Sequence, residues 1–552
     1  MDILLARDHG QLELTPLVDG TAQPSERLGP AELPARVAAL EGPDVRWVWA
    51  DTRTVYPTLL AAGVRVGRAV DLRLCHPILR HSVWTRNSAL ARGPASRWDT
   101  AAAVVDDVPT LLDELGRPDD VPTARLLAEL RDQQLAVAGS EHPGRLRLLT
   151  AAESAGGLIA AEMRHVGMPF DVAAHDRRLT ELLGPRPLPG GRPDKLQRLA
   201  EQIRELLGAP GLNPDSQPAL LRALRAAGVE VASTRRFELA AADNPVVPVL
   251  LQYKKLARLL AANGWAWADA WVRGGRFHPD YVPGGVVTGR WATVGGGALQ
   301  LPKQIRAAVA ADPGWRLVVA DAAQLEPRVL AAIAGDAAMA RASRGHDLYA
   351  GLVTEGVVGT RPQAKLAMLS ALYGATAGEA GQLMPNLMRA YPAATGLVER
   401  AARDGERGQQ VHTWLGRTSP PPGPGWHAGQ QRANQPDAVD ADERRARREA
   451  RDWGRFTRNF VVQGSAAEWA LCWLAAVRRD LTVLAGSTTL DRRPDLVYFQ
   501  HDEIMVHTPA ELADPVAEIV RAGAAEAGRL MFGETGVEFA IELAVVGCYA
   551  EA

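Results

Sequence analysis

Two apolar runs that carry carboxylates constrain this chain more than any other feature. WRLVVAD (315–321) reads as a strand ending on Asp321, and AAQLEPRVLAAIAGD then switches at once to helical spacing. Pro327 fits the first helical turn, where its missing N–H costs little. LVYFQHDEIMVH (496–507) reads as a second strand with Gln500, His501, Asp502 and Glu503 in succession. Adjacent polar groups in an apolar strand are expensive unless solvated, paired or metal-bound. Each run also has an ordinary reading: Asp321 as a helix cap, and the Asp502 stretch as a hairpin tip exposed to water.

Between the two lies TRPQAKLAMLSALYGATAGEAG, in which Arg361, Lys365, Leu369 and Tyr373 recur every four residues. That spacing places them on one slowly drifting stripe of a helix. Two cations near the start and a tyrosine at the end suit a triphosphate and a base, although a solvated basic end on a core helix has the same pattern. Nucleotidyl transfer asks for such a combination. It needs two divalent ions a few ångströms apart, and magnesium takes only one or two protein carboxylates besides phosphate and water. Basic side chains must then meet the triphosphate, because positioning and charge neutralisation supply most of the catalysis.

At 552 residues the chain exceeds one ordinary core, so two or more domains are expected. No uncharged apolar run of about 18 residues marks a membrane span, and charged residues within MDILLARDHGQLEL argue against a secretory leader. Cys75, Cys472 and Cys548 are widely separated, which disfavours a disulfide framework or zinc site and suits a reducing cytoplasm. A net charge of −2 is unlike a protein whose whole surface grips nucleic acid, so any DNA-binding charge must be gathered into a channel. Short strands are expected over 12–17 and 45–50 and a helix over 124–138, with strongly helical sequence from about 148. Loops are expected at 184–193 and 416–429. The charged run DADERRARREARDWGRF reads as a solvated helix.

In this order the three segments resemble motifs A, B and C of family A DNA polymerases, the DNA polymerase I type. The match runs through Asp321-Ala322-Ala323-Gln324-Leu325-Glu326-Pro327-Arg328, then Arg361, Lys365, Leu369, Tyr373 and Gly374, then His501, Asp502 and Glu503. GMPFD (167–171), LNPDSQPALLRALRAAGV (212–229), TGR (288–290) with LQLP (299–302), and RNFVVQGSAAEW (458–469) extend the likeness over residues 150–552. The chain resembles the short actinobacterial exonuclease/polymerase type. The resemblance implies an α+β multidomain, right-hand fold: an antiparallel palm sheet with helical fingers and thumb. Its boundaries would be thumb about 150–275, palm about 276–335 and 460–552, and fingers about 336–459, within 146–552.

By the same resemblance Asp321 and Asp502, with the Ala322 carbonyl, would hold two Mg2+ ions, Mn2+ being able to substitute, and Glu503 would assist. Arg361, Lys365, Leu369, Tyr373, Gln324, Glu326 and Tyr349 would bind the dNTP, with Glu326 excluding a ribose 2′-hydroxyl. Arg290, Arg455, Asn459, Gln463 and His501 would line primer-template DNA. A cytoplasmic, nucleoid-associated monomer serving repair or gap filling is expected. The sequence departs from the family at Ala322 and Ala323 (usually Tyr and Ser), at Leu369 (usually aromatic) and at Tyr349 (often His), and 418–450 looks expanded, with a surface loop as its default reading.

Residues 1–145 are expected to be a reduced RNase H-like 3′–5′ exonuclease domain without activity. No Asp-x-Glu pair occurs in residues 1–150, as the first exonuclease motif requires, and no Tyr-x-x-x-Asp third motif is found. WADTRTVYPTLLAAGVRVGRAVDLRL (49–74) resembles the second motif, making Asp51 and Asp71 a remnant. The rival expectations are residual proofreading and a polymerase-derived DNA-binding protein without catalysis.

Overall fold

The computed structural model describes residues 1–8, 10–100, 120–188, 190–345, 347–374, 378–486 and 492–552. Residues 101–119 of the expected exonuclease-like region lie outside them. The chain opens with β1 (Asp2–Asp8), β2 (Gln11–Val18), β3 (Thr21–Ala22), β4 (Glu26–Leu28), β5 (Arg46–Trp49) and β6 (Ala69–Asp71). These form a six-stranded sheet ordered β3-β2-β1-β5-β6, with β4 also on β2. β1 and β2 pair antiparallel, while β5 pairs parallel with both β1 and β6. The β5–β6 crossover is made by helix α1 (Thr52–Ala61), as parallel strands require.

β2 and β5 fall where strands were expected, but β1 was not foreseen. Its Ile3, Leu4, Leu5 and Ala6 are all buried. Ile3 and Leu5 face one core of the sheet, Leu4 and Ala6 the other. A strand covered on both faces shows no alternation to read. Helix α2 (Leu72–His81) follows β6, and α3 (Pro143–Val166) runs on into the rest of the chain. Gly156 and Gly157 let α3 pack closely on both sides. A methyl at Gly157 would meet Leu74 Cδ1 at 3.1 Å, and one at Gly156 would meet Leu471 Cδ2 at 3.0 Å.

After α4 (Val246–Asn263) comes the second large sheet, built from β7 (Trp315–Ala322), β8 (Asp495–Gln500), β9 (Glu503–Pro509) and β10 (Ile541–Val546). Its order is β8-β9-β7-β10, antiparallel throughout. The expected strand 496–507 is therefore two strands with His501 and Asp502 as the turn. The run remained apolar on both sides of the turn, which hid the reversal.

Helices α5 (Leu325–Ala334), α6 (Leu348–Thr354), α7 (Arg361–Tyr373) and α8 (Pro392–Glu406) gather around a core of their own, separate from that of the sheet. The expected loop over 416–429 ends early, because α9 (Pro424–Ala433) starts at a proline suited to a first helical turn. The surface-loop reading of 418–450 gives way to α9 and to the start of α10 (Asp440–Gly486), which fuses the charged run and the apolar QGSAAEW segment into 47 residues. At 1.5 Å per residue α10 spans about 70 Å. Among the described residues it alone is long and apolar enough to cross a membrane, yet 83% of that apolar window is buried inside the protein. The C-terminal helix α11 (Ala513–Phe532) packs on α10 and supports the sheet. All three cysteines are free.

Candidate active site

The centre of the site is the end of the β7–β9 ladder. Asp321 stands opposite Glu503 on β9 and opposite Glu542 on β10. Directly opposed residues in a sheet share a face with Cβ atoms about 5 Å apart, so three carboxylates lie in a row. The β8–β9 turn adds Asp502, whose carbonyl accepts the Ala322 N–H at 2.9 Å. His501 makes that turn possible at a positive φ of 60°, with the Asp502 N–H donating to the Gln500 carbonyl at 2.7 Å. A γ-type turn about a non-glycine residue in left-handed space is uncommon and strained, and such residues cluster at functional sites.

Neither ordinary reading of these aspartates describes them. Asp321 does not cap α5, whose N-terminus begins instead at Gln324 in a left-handed conformation with φ 49°. Asp502 is at a hairpin tip, but that tip is half-buried rather than bathed in water. Burial, then the Asp502, Glu503 and Glu542 charges, push Asp321 up to about 7. Burial is also the main cause that pushes Asp502 up to about 6. Carboxylates held together against their own repulsion, offering hard oxygen donors, fit a divalent cation. Among the described residues no group of three or more His, Cys, Asp or Glu forms a ready-made metal site. A pair matches an ion that takes one or two protein carboxylates and fills its shell with water and phosphate.

Glu503 is less free than the two aspartates. Tyr549 Oη donates to its Oε1 at 2.7 Å, and Arg306 approaches its Oε2 at 3.7 Å. The Arg306 guanidinium also lies 4.1 Å from the Tyr549 ring centroid. Glu542, Arg306 and Tyr549 were absent from the sequence reading. Only the register of β10 on β7 and the return of the C-terminus bring them here, and no local motif marks them.

The residues expected to bind the nucleotide converge beside this row. Glu326, on the first turn of α5, is held by Arg290 on one oxygen and by Tyr373 Oη at 2.9 Å on the other. Its rotamer is thus fixed from two sides. Gln324 accepts the Leu348 N–H at 3.0 Å and ties α6 to the same corner. On α7 the stripe is present: Arg361, Lys365 and Tyr373 are exposed and Leu369 half-buried, while Ala364, Ala367, Met368 and Ala371 face the core. Arg361 Nε donates to Asp347 at 2.6 Å, and its guanidinium lies 5.6 Å from the Tyr349 ring centroid. Asp347 holds the Arg361 guanidinium above its usual range, with a smaller contribution from Glu542 opposite Asp321. His501 is held below its ordinary value by burial and then by Arg290.

Arg455, Asn459 and Gln463 recur every four residues on α10 and form one face. Arg455 packs across the end of α7, where a methyl on Gly374 (φ 71°) would come 2.9 Å from its Cγ. A groove of about 1060 Å³ lies between α4 and the second sheet, lined by Arg236, Lys254, Lys255, Arg258, Gln304 and Gln500. It gathers positive charge in a chain of net charge −2, and it ends one residue before His501. These lysines were not singled out from sequence, since a basic patch on a helix is usually a solvated face.

The remnant pair sits elsewhere. Asp71 ends β6 and Asp51 lies two residues past the end of the parallel strand β5, and both are buried. Asp51 accepts the Arg53 N–H at 2.9 Å and lies 3.3 Å from Arg73 Nε. Asp71 accepts the N–H groups of Thr52 at 2.8 Å and Leu74 at 2.9 Å. Both therefore serve as helix caps. Tyr56, the tyrosine of this segment, is buried and donates to Glu162 at 2.5 Å.

The chain is 27% identical over 349 residues to DNA polymerase I of Chloroflexus aurantiacus, covering 58% of this chain and 34% of that protein. It is 26% identical over 444 residues to a thermostable DNA polymerase I of Thermus thermophilus, covering 73% and 49%. The chain thus spans half or less of the length of these relatives. Among solved structures, the POL domain of Pol1 from M. smegmatis, in complex with DNA primer-template and dNTP, superposes with a TM-score of 0.65 at 17% identity. That alignment covers 100% of this chain and 95% of the other, and it shares the mixed α/β fold. The family description "DNA polymerase family A" matches residues 193–547, which include the carboxylate row, the α7 stripe and the α10 face. The chain belongs to DNA polymerase family A.

Proposed function

We propose that this chain is a template-directed DNA polymerase that adds dNTPs to a primer 3′-hydroxyl. The observation that carries the reading is the junction of Asp321 and Asp502 through the Ala322–Asp502 hydrogen bond, beside a Glu326 clamped by Arg290 and Tyr373. Asp321 and Asp502, with the Ala322 carbonyl, are the groups suited to two divalent cations, Mg2+ by donor chemistry and Mn2+ as a substitute. Bound there, the cations would activate the primer hydroxyl and neutralise the triphosphate. The 3′-oxygen attacks the α-phosphorus, the bond to the β-phosphate oxygen breaks, and pyrophosphate leaves.

The protein's own part is positioning. Arg361 and Lys365 meet the triphosphate, and Tyr349 adds a hydroxyl beside them. Tyr373 and Leu369 cover the base. Glu326, fixed by its two partners, fills the space a ribose 2′-hydroxyl needs. Arg290, Arg455, Asn459, Gln463 and His501 line the duplex near the primer end, and the α4 groove takes its phosphates, contacts that position DNA without reading sequence. In this reading the second sheet with α5 and the later part of α10 is the palm, α6–α9 with the start of α10 the fingers, and residues about 150–275 the thumb. Residues 1–145 are a degenerate exonuclease-like domain whose aspartates cap helices. A monomer working in the cytoplasm on repair gaps fits these parts.

Primer extension on a gapped duplex tests the proposal. With Mg2+ the parent should fill the gap and Asp502→Ala should not. Binding of the primer-template without extension in either Mg2+ or Mn2+ would instead leave a DNA-binding protein on a polymerase frame.

A further inference from the structure

Two glutamates stand opposite Asp321, and they are not equivalent. Glu503 on β9 and Glu542 on β10 flank it from the two neighbouring strands. Directly opposed residues share a face of the sheet, so by position alone either qualifies as a third carboxylate of the ion site. Their surroundings separate them. Tyr549 Oη donates to Glu503 Oε1 at 2.7 Å, and Arg306 Nη2 stands 3.7 Å from Oε2. Tyr549 is itself buried and fixed, its N–H donating to the Val309 carbonyl at 2.9 Å. Arg306 lies 4.1 Å from the Tyr549 ring centroid, so the two partners hold each other as well as the carboxylate. The charge of Glu503 is thus answered within the chain.

Glu542 has no such answer. It is exposed and has no hydrogen bond or ion pair among the described residues. Its charge is felt by Asp321 on one side and by Arg361 on the other, which sets it between the aspartates and the start of α7. Like charges directly opposite each other destabilise a sheet. β10 is an edge strand, and edges favour charged side chains that discourage pairing with another chain. A lysine would serve that purpose and would also neutralise Asp321. A glutamate there makes physical sense when a cation supplies the missing charge.

We propose that Glu542, and not Glu503, is the third carboxylate of the ion site, a positioning residue that helps hold a divalent cation at Asp321 and Asp502 before the dNTP arrives. The inference rests on the polymerase reading above and deepens it. It also departs from the expectation that Glu503, as part of the His501-Asp502-Glu503 run, gives this assistance. Among the described residues no three carboxylates lie close enough to grip one ion directly. Magnesium keeps several waters in its shell, and Glu542 acts by accepting hydrogen bonds from them. Tyr549 and Arg306 meanwhile keep Glu503 from competing for the same cation.

The test titrates Mn2+ into the full chain without DNA or dNTP and reads the free ion by electron paramagnetic resonance. The parent is compared with Glu542→Gln, Glu542→Asp, Glu503→Gln and Asp502→Asn, and melting without metal checks that each variant folds. A unit charge about 6 Å from a dication in water-like surroundings changes a binding constant by about tenfold. Glu542→Gln should therefore weaken Mn2+ binding by about tenfold, and Glu542→Asp, which keeps the charge, should recover most of the loss. Glu503→Gln should change it by less than about twofold, since its charge is already answered. A loss in Glu503→Gln that equals or exceeds the loss in Glu542→Gln would overturn the proposal. So would no loss in Glu542→Gln, which would leave Glu542 an edge-strand charge. A parent that binds no Mn2+ without dNTP would also overturn it, while primer extension would still decide the polymerase reading. Binding that survives Asp502→Asn unchanged would place the ion elsewhere, and the ion-site reading would fall together with this inference.

Discussion

Asp71 and Asp321 both close a buried strand, and in both burial is the main cause that pushes the carboxyl up to about 7, with a neighbouring aspartate next. What surrounds them separates their roles. Asp71 accepts two backbone N–H groups and caps α2, while its neighbour Asp51 caps α1 and faces Arg73. Every strong contact there is internal. Asp321 instead faces Glu503, Glu542 and Asp502, and caps nothing. A perturbed carboxyl is therefore no sign of catalysis by itself. The sign is a carboxyl whose neighbours repel it and whose compensation must come from outside the chain.

The largest expected difference between the two pairs is in synthesis. Asp321→Ala or Asp502→Ala should lower extension by about a thousandfold or more, as loss of a principal charge-stabilising group does. Asp51→Asn and Asp71→Asn should stay within about twofold, and steady-state primer extension reads both.

Metal and pH should part the pairs next. A folded-state value of about 7 at Asp71 and Asp321 lies above the ordinary unfolded value near 3.9. Between these values the folded chain holds protons that the unfolded chain releases, so stability falls as pH rises from about 4 to 7. At pH 8, Mg2+ should recover stability through Asp321 and Asp502, by about 2.7 kcal/mol at a hundred times its Kd. Thermal melting should show that gain lost in Asp502→Asn and kept in Asp71→Asn.

Smaller effects sharpen the contrast. Asp71→Ala removes a cap and leaves the buried Thr52 N–H and the half-buried Leu74 N–H short of a partner, and should cost about 1–2 kcal/mol in denaturant unfolding while sparing extension by the folded fraction. On the other side, Leu369→Phe restores an aromatic face beside the base. Stacking of this kind is worth about 1–3 kcal/mol, so KM for dNTP should fall about fivefold or more, with kcat little changed.

Much of the candidate site was legible because it is local. Arg361, Lys365, Leu369 and Tyr373 share a helix face by spacing alone, and β7 ends at Ala322, one residue past the Asp321 on which its apolar run closes. The reversal at His501 was not legible, because a left-handed histidine between two apolar strands carries none of the usual glycine or asparagine turn signals. Glu542, Arg306 and Tyr549 were missed for another reason: strand register and the return of the C-terminus bring them to Glu503 and Asp321 across long stretches of chain. In the first sheet β1 escaped because burial on both faces erases alternation. The expected loop over 418–450 failed at α10, whose charged and apolar halves look like separate segments until seen as one helix.

The most direct measurement follows an end-labelled primer on a gapped template with Mg2+, with and without dNTPs, for the parent, Asp321→Ala/Asp502→Ala and Asp51→Asn/Asp71→Asn. The account predicts extension by the parent and the Asp51/Asp71 variant, none by the Asp321/Asp502 variant, and an intact primer wherever dNTPs are absent. Primer shortening that survives loss of Asp321 and Asp502 but disappears with Asp51 and Asp71 would contradict it, and would make the capping aspartates a working nuclease site.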